Sequence, residues 1–434
     1  RLEDEDKDVR WERTALVSNA RAVFLLGVIS WHHARCGQAL TCFPAYLPDV
    51  LGTVLRVAPK LLGSSALSGL MLLAGSLAAK ERADVFWSRT AFTLLVALLV
   101  QLLLAPLFDG LLQPGAPIPT DGHVWFLYSL SLARLLDRLT SASLAFLRPY
   151  LRMHAFYPAL LRLAPSLALF LIASPLWYVL LPHVSKLLPA LDSARYNGYA
   201  TSDGEWYVPV GVRCLTYPFF WAIGRVCLPL PRLLQLHARS GTSPSSRATL
   251  WLVNAACWLY SAFRLEMGGT NFFKSAPLNV WASRLPRALE MLFVSFISPL
   301  ALLMLLPQEP LPLLGWAGER TLWPYLLHPF VLKLIRPILW GSIVEVARLM
   351  PPAVPRVLVA IELTLVPLVI LVGLAGLAVI FTRLCKQAGV GAGPVALVVL
   401  VLRVMLVLRV APGSAELLKV RLATEEQKLK HQAF

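Results

Sequence analysis

The chain has 434 residues, of which 57% are hydrophobic and only 15% are charged. An ordinary soluble domain carries about 25% charged residues, so this composition excludes most soluble fold classes. The formal net charge of +16 comes from Lys and Arg scattered over short loops and helix ends. That distribution argues against nucleic acid as a partner and favours contact with anionic membrane lipids.

Long apolar runs predict an all-α, polytopic transmembrane bundle of ten or eleven helices. The runs approach the roughly 20 residues that cross a hydrocarbon core, and they lack the alternation of a membrane β-barrel. An additional apolar run, 389–410, carries Arg403 and Arg409 and is either an eleventh span or an interfacial helix. The ten helices are predicted at 15–33, 52–79, 86–112, 122–141, 156–181, 207–230, 247–264, 285–306, 320–346 and 356–384.

Composition along the chain indicates one large membrane domain with short flanking segments. Residues 1–14 are polar, residues 15–384 hold the predicted bundle, and residues 385–434 form an extension with a charged tail. Polar stretches at 183–205 and 232–246 are predicted to be loops. The bias of Lys and Arg between loops favours a cytosolic N-terminus, and nothing in the sequence indicates which organelle holds the protein.

The six cysteines show neither a CxxC motif nor the spacing of a zinc site, so no metal site is predicted. Cys36 and Cys42 share one predicted loop. They are either free thiols or, in an oxidising compartment, a disulfide.

Several polar residues lie inside predicted membrane helices, where they are functional candidates by default. Arg21 and His32 are eleven positions apart, so they share one face of the first helix about 16 Å apart. Alternatively, Arg21 reaches the headgroups while His32 lies at the opposite interface. His123 opens the run His-Val-Trp-Phe-Leu, and His328 closes the run Tyr-Leu-Leu-His.

Other charged residues in the predicted helices have simpler interpretations available. Glu362 is a functional candidate, but a pair with Lys333 or Arg336 on the preceding helix would also explain it. Arg134 and Asp137 are three positions apart, which predicts an ion pair within their own helix.

The order and spacing of these motifs resemble the acyltransferase-3 family of membrane-bound O-acyltransferases. The matching features run from residue 21 to about residue 380, and His33 directly after His32 departs from the family pattern. The matching features are Arg21-x10-His32, the Ser68-Gly69 stretch of the second helix, the basic segment from Lys80 to Arg89, the run from His123 to Leu127, and the run from Tyr325 to His328.

The resemblance implies transfer of an acyl group, expected to be acetyl, from acyl-CoA to a hydroxyl of a carbohydrate-like acceptor. The implied catalytic residues are His32, His123 and His328, with His32 as the general base because neutral imidazole accepts protons near pH 7. The donor's phosphates require fixed cations. The expected ones are Arg21, Lys80, Arg82 and Arg89.

This interpretation carries a geometric expectation and leaves alternatives open. The imidazoles of His32, His123 and His328 should lie within about 12 Å of one another, the scale of one helix diameter. Successive helical residues point about 100° apart, so only one of His32 and His33 should face the site. The loop cations could serve topology alone. The whole chain could instead be an inactive acyltransferase-like subunit of a larger membrane complex, or a transporter.

Overall fold

The chain folds into α-helices, as its apolar runs predict. The computed structural model describes residues 15–36, 65–78, 81–100, 125–147, 159–173, 214–240, 243–266, 285–349, 351 and 353–387. These residues contain twelve helices. In chain order they are α1 (Ala15–Cys36), α2 (Ser65–Ala78), α3 (Ala83–Leu99), α4 (Trp125–Leu147), α5 (Ala159–Ala173), α6 (Pro218–Val226), α7 (Leu230–Ser240), α8 (Pro244–Glu266), α9 (Leu285–Leu305), α10 (Pro312–Gly318), α11 (Leu322–Leu349) and α12 (Ala353–Gln387).

Two segments that were predicted to be connections between helices contain helices themselves. The predicted helix 207–230 is interrupted before Leu230, and α7 occupies most of the stretch 232–246 that was predicted to be a loop. Its polar composition concealed an amphipathic helix, because Leu230, Leu233 and His237 are buried at helical spacing. The connection predicted between residues 306 and 320 also contains a helix, since Pro312 begins the short helix α10. Proline is well tolerated there because the first helical turn does not need its N–H.

Helix α1 lies at the centre of one side of the bundle and packs against α10, α11 and α12. The Asn19 side chain fixes the chain that leads into α10. It donates to the carbonyl oxygens of Pro307 at 3.0 Å and Glu309 at 2.8 Å, and it accepts from the Leu311 N–H at 3.1 Å. The Asn19 amide therefore forms the hydrogen bonds that these backbone groups of the turn would otherwise lack.

Glycines bring α2 and α6 into direct backbone contact. A Cβ at Gly75 would overlap the carbonyl of Trp221, and a Cβ at Gly224 would overlap the carbonyl of Leu72. Small residues at crossing points allow helices to approach closely, a common device between membrane helices.

Two helical stretches among the described residues are long and apolar enough to cross a membrane. They are Ala15–His33 and Thr364–Arg383. Buried helices of soluble proteins and signal sequences meet the same test, so the pair alone is weak evidence for a membrane.

Candidate functional site

Helices α1 and α11 bring His32 and His328 together. Their ring centroids are 5.1 Å apart and the ring planes are inclined by 58°. His328 is fully buried, whereas His32 is partly exposed. The separation is well inside the expected 12 Å or so. The third predicted histidine, His123, lies outside the described residues.

A backbone hydrogen bond fixes the proton arrangement of His328. Its Nδ1 is 2.9 Å from the carbonyl oxygen of Pro324, one turn earlier in α11. A carbonyl only accepts, so Nδ1 carries the hydrogen that is donated. In the neutral ring, Nε2 then carries the lone pair and is the hydrogen-bond acceptor.

Aromatic rings surround this pair and connect two of the motifs on which the family resemblance depends. Trp31 packs edge-on against His32 with centroids 4.8 Å apart, and Tyr325 lies 6.1 Å from His328. The Tyr325 ring also lies 5.4 Å from Phe126 of α4. The motif that ends in His328 therefore contacts the motif that begins at His123.

A second polar pair lies directly behind the first. His33 Nε2 is 3.4 Å from Glu362 Oε1 of α12, and their side chains are only 0% and 5% exposed. The side chains of Lys333 and Arg336, the partners expected for Glu362, are not among those described. We call His32, His33, His328 and Glu362 the histidine cluster. The sequence indicated that Glu362 needs a partner, because a carboxylate in an apolar helix requires one, and the first helix offers two consecutive histidines.

The predicted loop cations are engaged by carboxylates. Arg82 Nε lies 3.3 Å from Asp84 Oδ1 in an exposed pair. Arg89 Nη1 lies 3.1 Å from Glu81 Oε1. A phosphate at either guanidinium would compete with these carboxylates. Lys80 lies outside the described residues.

Arg21 borders a small, mostly apolar cavity of about 120 Å³. An apolar cavity of about 150 Å³ binds benzene, and pockets for whole small-molecule ligands begin near 300 Å³. As the described residues enclose it, the space fits a small group. Its lining comprises Arg21, Leu70, Leu73, Ala74, Leu77, Phe126 and Thr321.

The Ser68-Gly69 motif serves helix packing in the structure. Ser68 Oγ is 2.9 Å from the Ser65 carbonyl and 2.8 Å from the Ser295 carbonyl, so it connects α2 to α9. A Cβ at Gly69 would overlap the ring of Phe24. These contacts explain a small residue and a hydroxyl at these positions without any contact with substrate.

The prediction that Arg134 pairs with Asp137 is wrong. Arg134 instead pairs with Glu81 and donates from Nε to Thr90 at 2.9 Å. Asp137 Oδ2 lies 2.8 Å from Arg225 Nε. Both residues are buried between helices, so each finds an opposite charge on another element and not on its own helix. We call Glu81, Arg134, Asp137 and Arg225 the charged cluster.

The histidine cluster is the group best suited to chemistry among the described residues. Imidazole is the side chain most often used as a general base, and the Glu362 carboxylate can orient His33. No group of three or more His, Cys, Asp or Glu in this described part is arranged to hold a metal ion. Comparison with protein-family models, curated proteins and solved structures finds no match to this chain.

Proposed function

We propose that this chain is a membrane-embedded O-acyltransferase of the acyltransferase-3 type. It would move an acyl group, expected to be acetyl, from acyl-CoA to a hydroxyl of a carbohydrate-like acceptor. The approach of His32 and His328 to 5.1 Å carries the proposal, because the two residues come from separate motifs of the resemblance. The resemblance supplies the donor and acceptor classes.

The outer surface of α12 supports the proposed membrane location. Its exposed apolar side chains recur about every fourth residue over about 28 Å of helix, close to the 30 Å of a hydrocarbon core. Water would solvate such a stripe poorly, whereas lipid solvates it well. The stripe comprises Ile361, Leu365, Val369, Leu377 and Ile380.

The chemistry assigns different tasks to the two imidazoles. His32 takes the proton from the acceptor hydroxyl as its oxygen attacks the thioester carbonyl. The acyl–sulfur bond then breaks, and the same proton passes to the leaving thiolate. Because His328 donates from Nδ1 to Pro324, its neutral ring has only Nε2 to offer, as an acceptor. We therefore assign His328 to orienting the reacting groups.

Arg21 is the best-placed described cation for the donor. It borders a cavity and lies about 16 Å along α1 from His32, so phosphates and thioester would occupy different ends of the first helix. Arg82 and Arg89 add positive charge near the start of α3. The pair of Arg82 with Asp84 is exposed and therefore weak, so a phosphate can replace its carboxylate.

The test compares two histidine variants in lipid vesicles with acyl-CoA donors of graded length and several hydroxyl acceptors. His32→Ala should lower the transfer rate by about 10² to 10⁴ because a general base is lost. His237→Ala is the matched control. The buried His237 ring is held by the Leu306 carbonyl at 2.7 Å and the Gln308 amide at 3.1 Å. Its removal should lower thermal stability without selectively lowering kcat.

The outcomes separate the enzyme from its main alternative. Near-native turnover in His32→Ala would reject the assigned base. Absence of transfer by the unmodified protein with every donor and acceptor would favour the inactive subunit of a larger membrane complex. The modest volume of the Arg21 cavity, about 120 Å³, is the observation that favours this alternative.

A further inference from the structure

The two polar pairs of the histidine cluster are joined by consecutive residues of α1. His32 faces His328 on α11, and His33 faces Glu362 on α12. In a helix, neighbouring residues point about 100° apart, so the direction of one side chain determines the direction of the other. Fixing His33 therefore fixes the rotation of His32 about the helix axis.

The carboxylate of Glu362 depends on this contact. Its two oxygens accept no hydrogen bond within the described part of the chain, and the 3.4 Å approach of His33 is its one polar contact there. A buried carboxylate with no partner is strongly unfavourable, so the pair resists separation. The contact lies close to the end of α1, where a helix is held by fewer of its own hydrogen bonds.

We propose that Glu362 is a positioning residue that acts through His33 to keep His32 against His328. The consequence for catalysis rests on the proposed acyl transfer, but the geometric claim does not. For this purpose the Nε2 atom of His33 needs only a hydrogen-bond acceptor at position 362. An amide oxygen should therefore replace the carboxylate, whereas a methyl group should not.

The experiment measures proximity without any need for turnover. His32→Cys and His328→Cys are introduced together in a chain whose six native cysteines are replaced by alanine. Cross-linking by a short bifunctional thiol reagent is then compared in three backgrounds of matched folding: unmodified, Glu362→Ala and Glu362→Gln. We expect cross-linking to be lost with Glu362→Ala and retained with Glu362→Gln.

A second measurement uses the native histidines and the acyl-transfer assay. Glu362→Ala should lower kcat on the order of 10²-fold with little change in KM, because a displacement of about 1 Å costs that much. Glu362→Gln should recover most of that rate. Asp137→Asn is the control, since it removes a charge from another buried pair, with Arg225. It should alter stability and leave both readouts of the folded protein unchanged.

The two claims fail separately. Unchanged cross-linking in folded Glu362→Ala would overturn the positioning role, whatever the activity. Loss of cross-linking in Asp137→Asn would overturn it as well, because the effect would then be general loosening. Cross-linking that is lost with Glu362→Ala and retained with Glu362→Gln, in a protein that transfers no acyl group, would support the positioning role and reject the proposed function alone.

Discussion

Two buried groups of polar side chains connect the helices, and they differ in the kind of charge that they hold. The charged cluster pairs permanently charged guanidinium groups with carboxylates, as in the 2.8 Å contact of Arg225 with Asp137. The histidine cluster instead holds three imidazoles and a single carboxylate. Its contacts are a 3.4 Å approach of His33 to Glu362 and two inclined rings.

The difference indicates a division of work. Around the charged cluster, α2 and α6 touch through Gly75 and Gly224, and the Arg225 side chain also donates to the Ala78 carbonyl. Fixed charges and backbone contact suit a region that holds shape. A partly exposed imidazole, His32, beside a second ring suits a region that moves protons. We therefore assign stability to the charged cluster and chemistry to the histidine cluster.

Removing a cation from the charged cluster should produce the largest loss of stability. Arg134→Ala leaves the Glu81 carboxylate without its principal buried partner, and breaking such a pair costs about 3–5 kcal/mol. Equilibrium unfolding in detergent or lipid measures the change. Arg82→Ala is the control, because its pair with Asp84 is exposed and its loss should be undetectable. Equal stability of the Arg134→Ala and Arg82→Ala variants would show that the charged cluster does not stabilise the fold.

A charge on the exposed apolar stripe of α12 tests whether this surface faces lipid. Val369 is 67% exposed near the middle of the stripe. In lipid, Val369→Arg should cost about 2.5–3.5 kcal/mol of insertion free energy, whereas in water it would be almost neutral. Val357→Arg, about 18 Å nearer the start of α12, should cost less. Efficient membrane integration of both variants at wild-type levels would contradict the membrane location.

A methyl group at the α2–α6 contact should produce a smaller but selective loss. Gly224→Ala forces the backbones apart, and overpacking of this kind costs about 1–3 kcal/mol. Gly373→Ala on α12 meets no atom within 4 Å. It should be neutral or gain up to about 1 kcal/mol from helix propensity. The midpoint of thermal unfolding measures both, and a reversed order would show that the contact is loose.

Sequence patterns correctly predicted the features that depend on residues close together in the chain. Apolar runs predicted the helices, and spacing along α1 placed His32 and His33 on different faces. Local rules failed for charges. Arg134 and Asp137 satisfied the three-residue spacing of a surface pair, but both are buried and pair with residues outside their own helix. The same limit applies to His33 and Glu362. The sequence indicated that Glu362 needs a partner, but no pattern in one sequence specifies which distant residues meet.

Helix α7 illustrates a different limit. Its polar residues outnumber its buried ones, so composition favoured a loop. Its three buried positions, Leu230, Leu233 and His237, follow helical spacing over too short a range to stand out. The meeting of His32 with His328, by contrast, could be expected from the ordered motifs, although neither motif alone indicates the 5.1 Å approach.

One measurement tests the division of work most directly: kcat per folded molecule for His328→Ala beside Asp137→Asn, with thermal stability measured on the same samples. The account predicts that His328→Ala loses about 10²-fold or more in kcat, because the reacting groups lose the acceptor that orients them. It predicts that Asp137→Asn loses stability while the folded fraction keeps its kcat. Native kcat in His328→Ala, together with loss of transfer in a stable Asp137→Asn, would contradict the account and place the chemistry in the charged cluster.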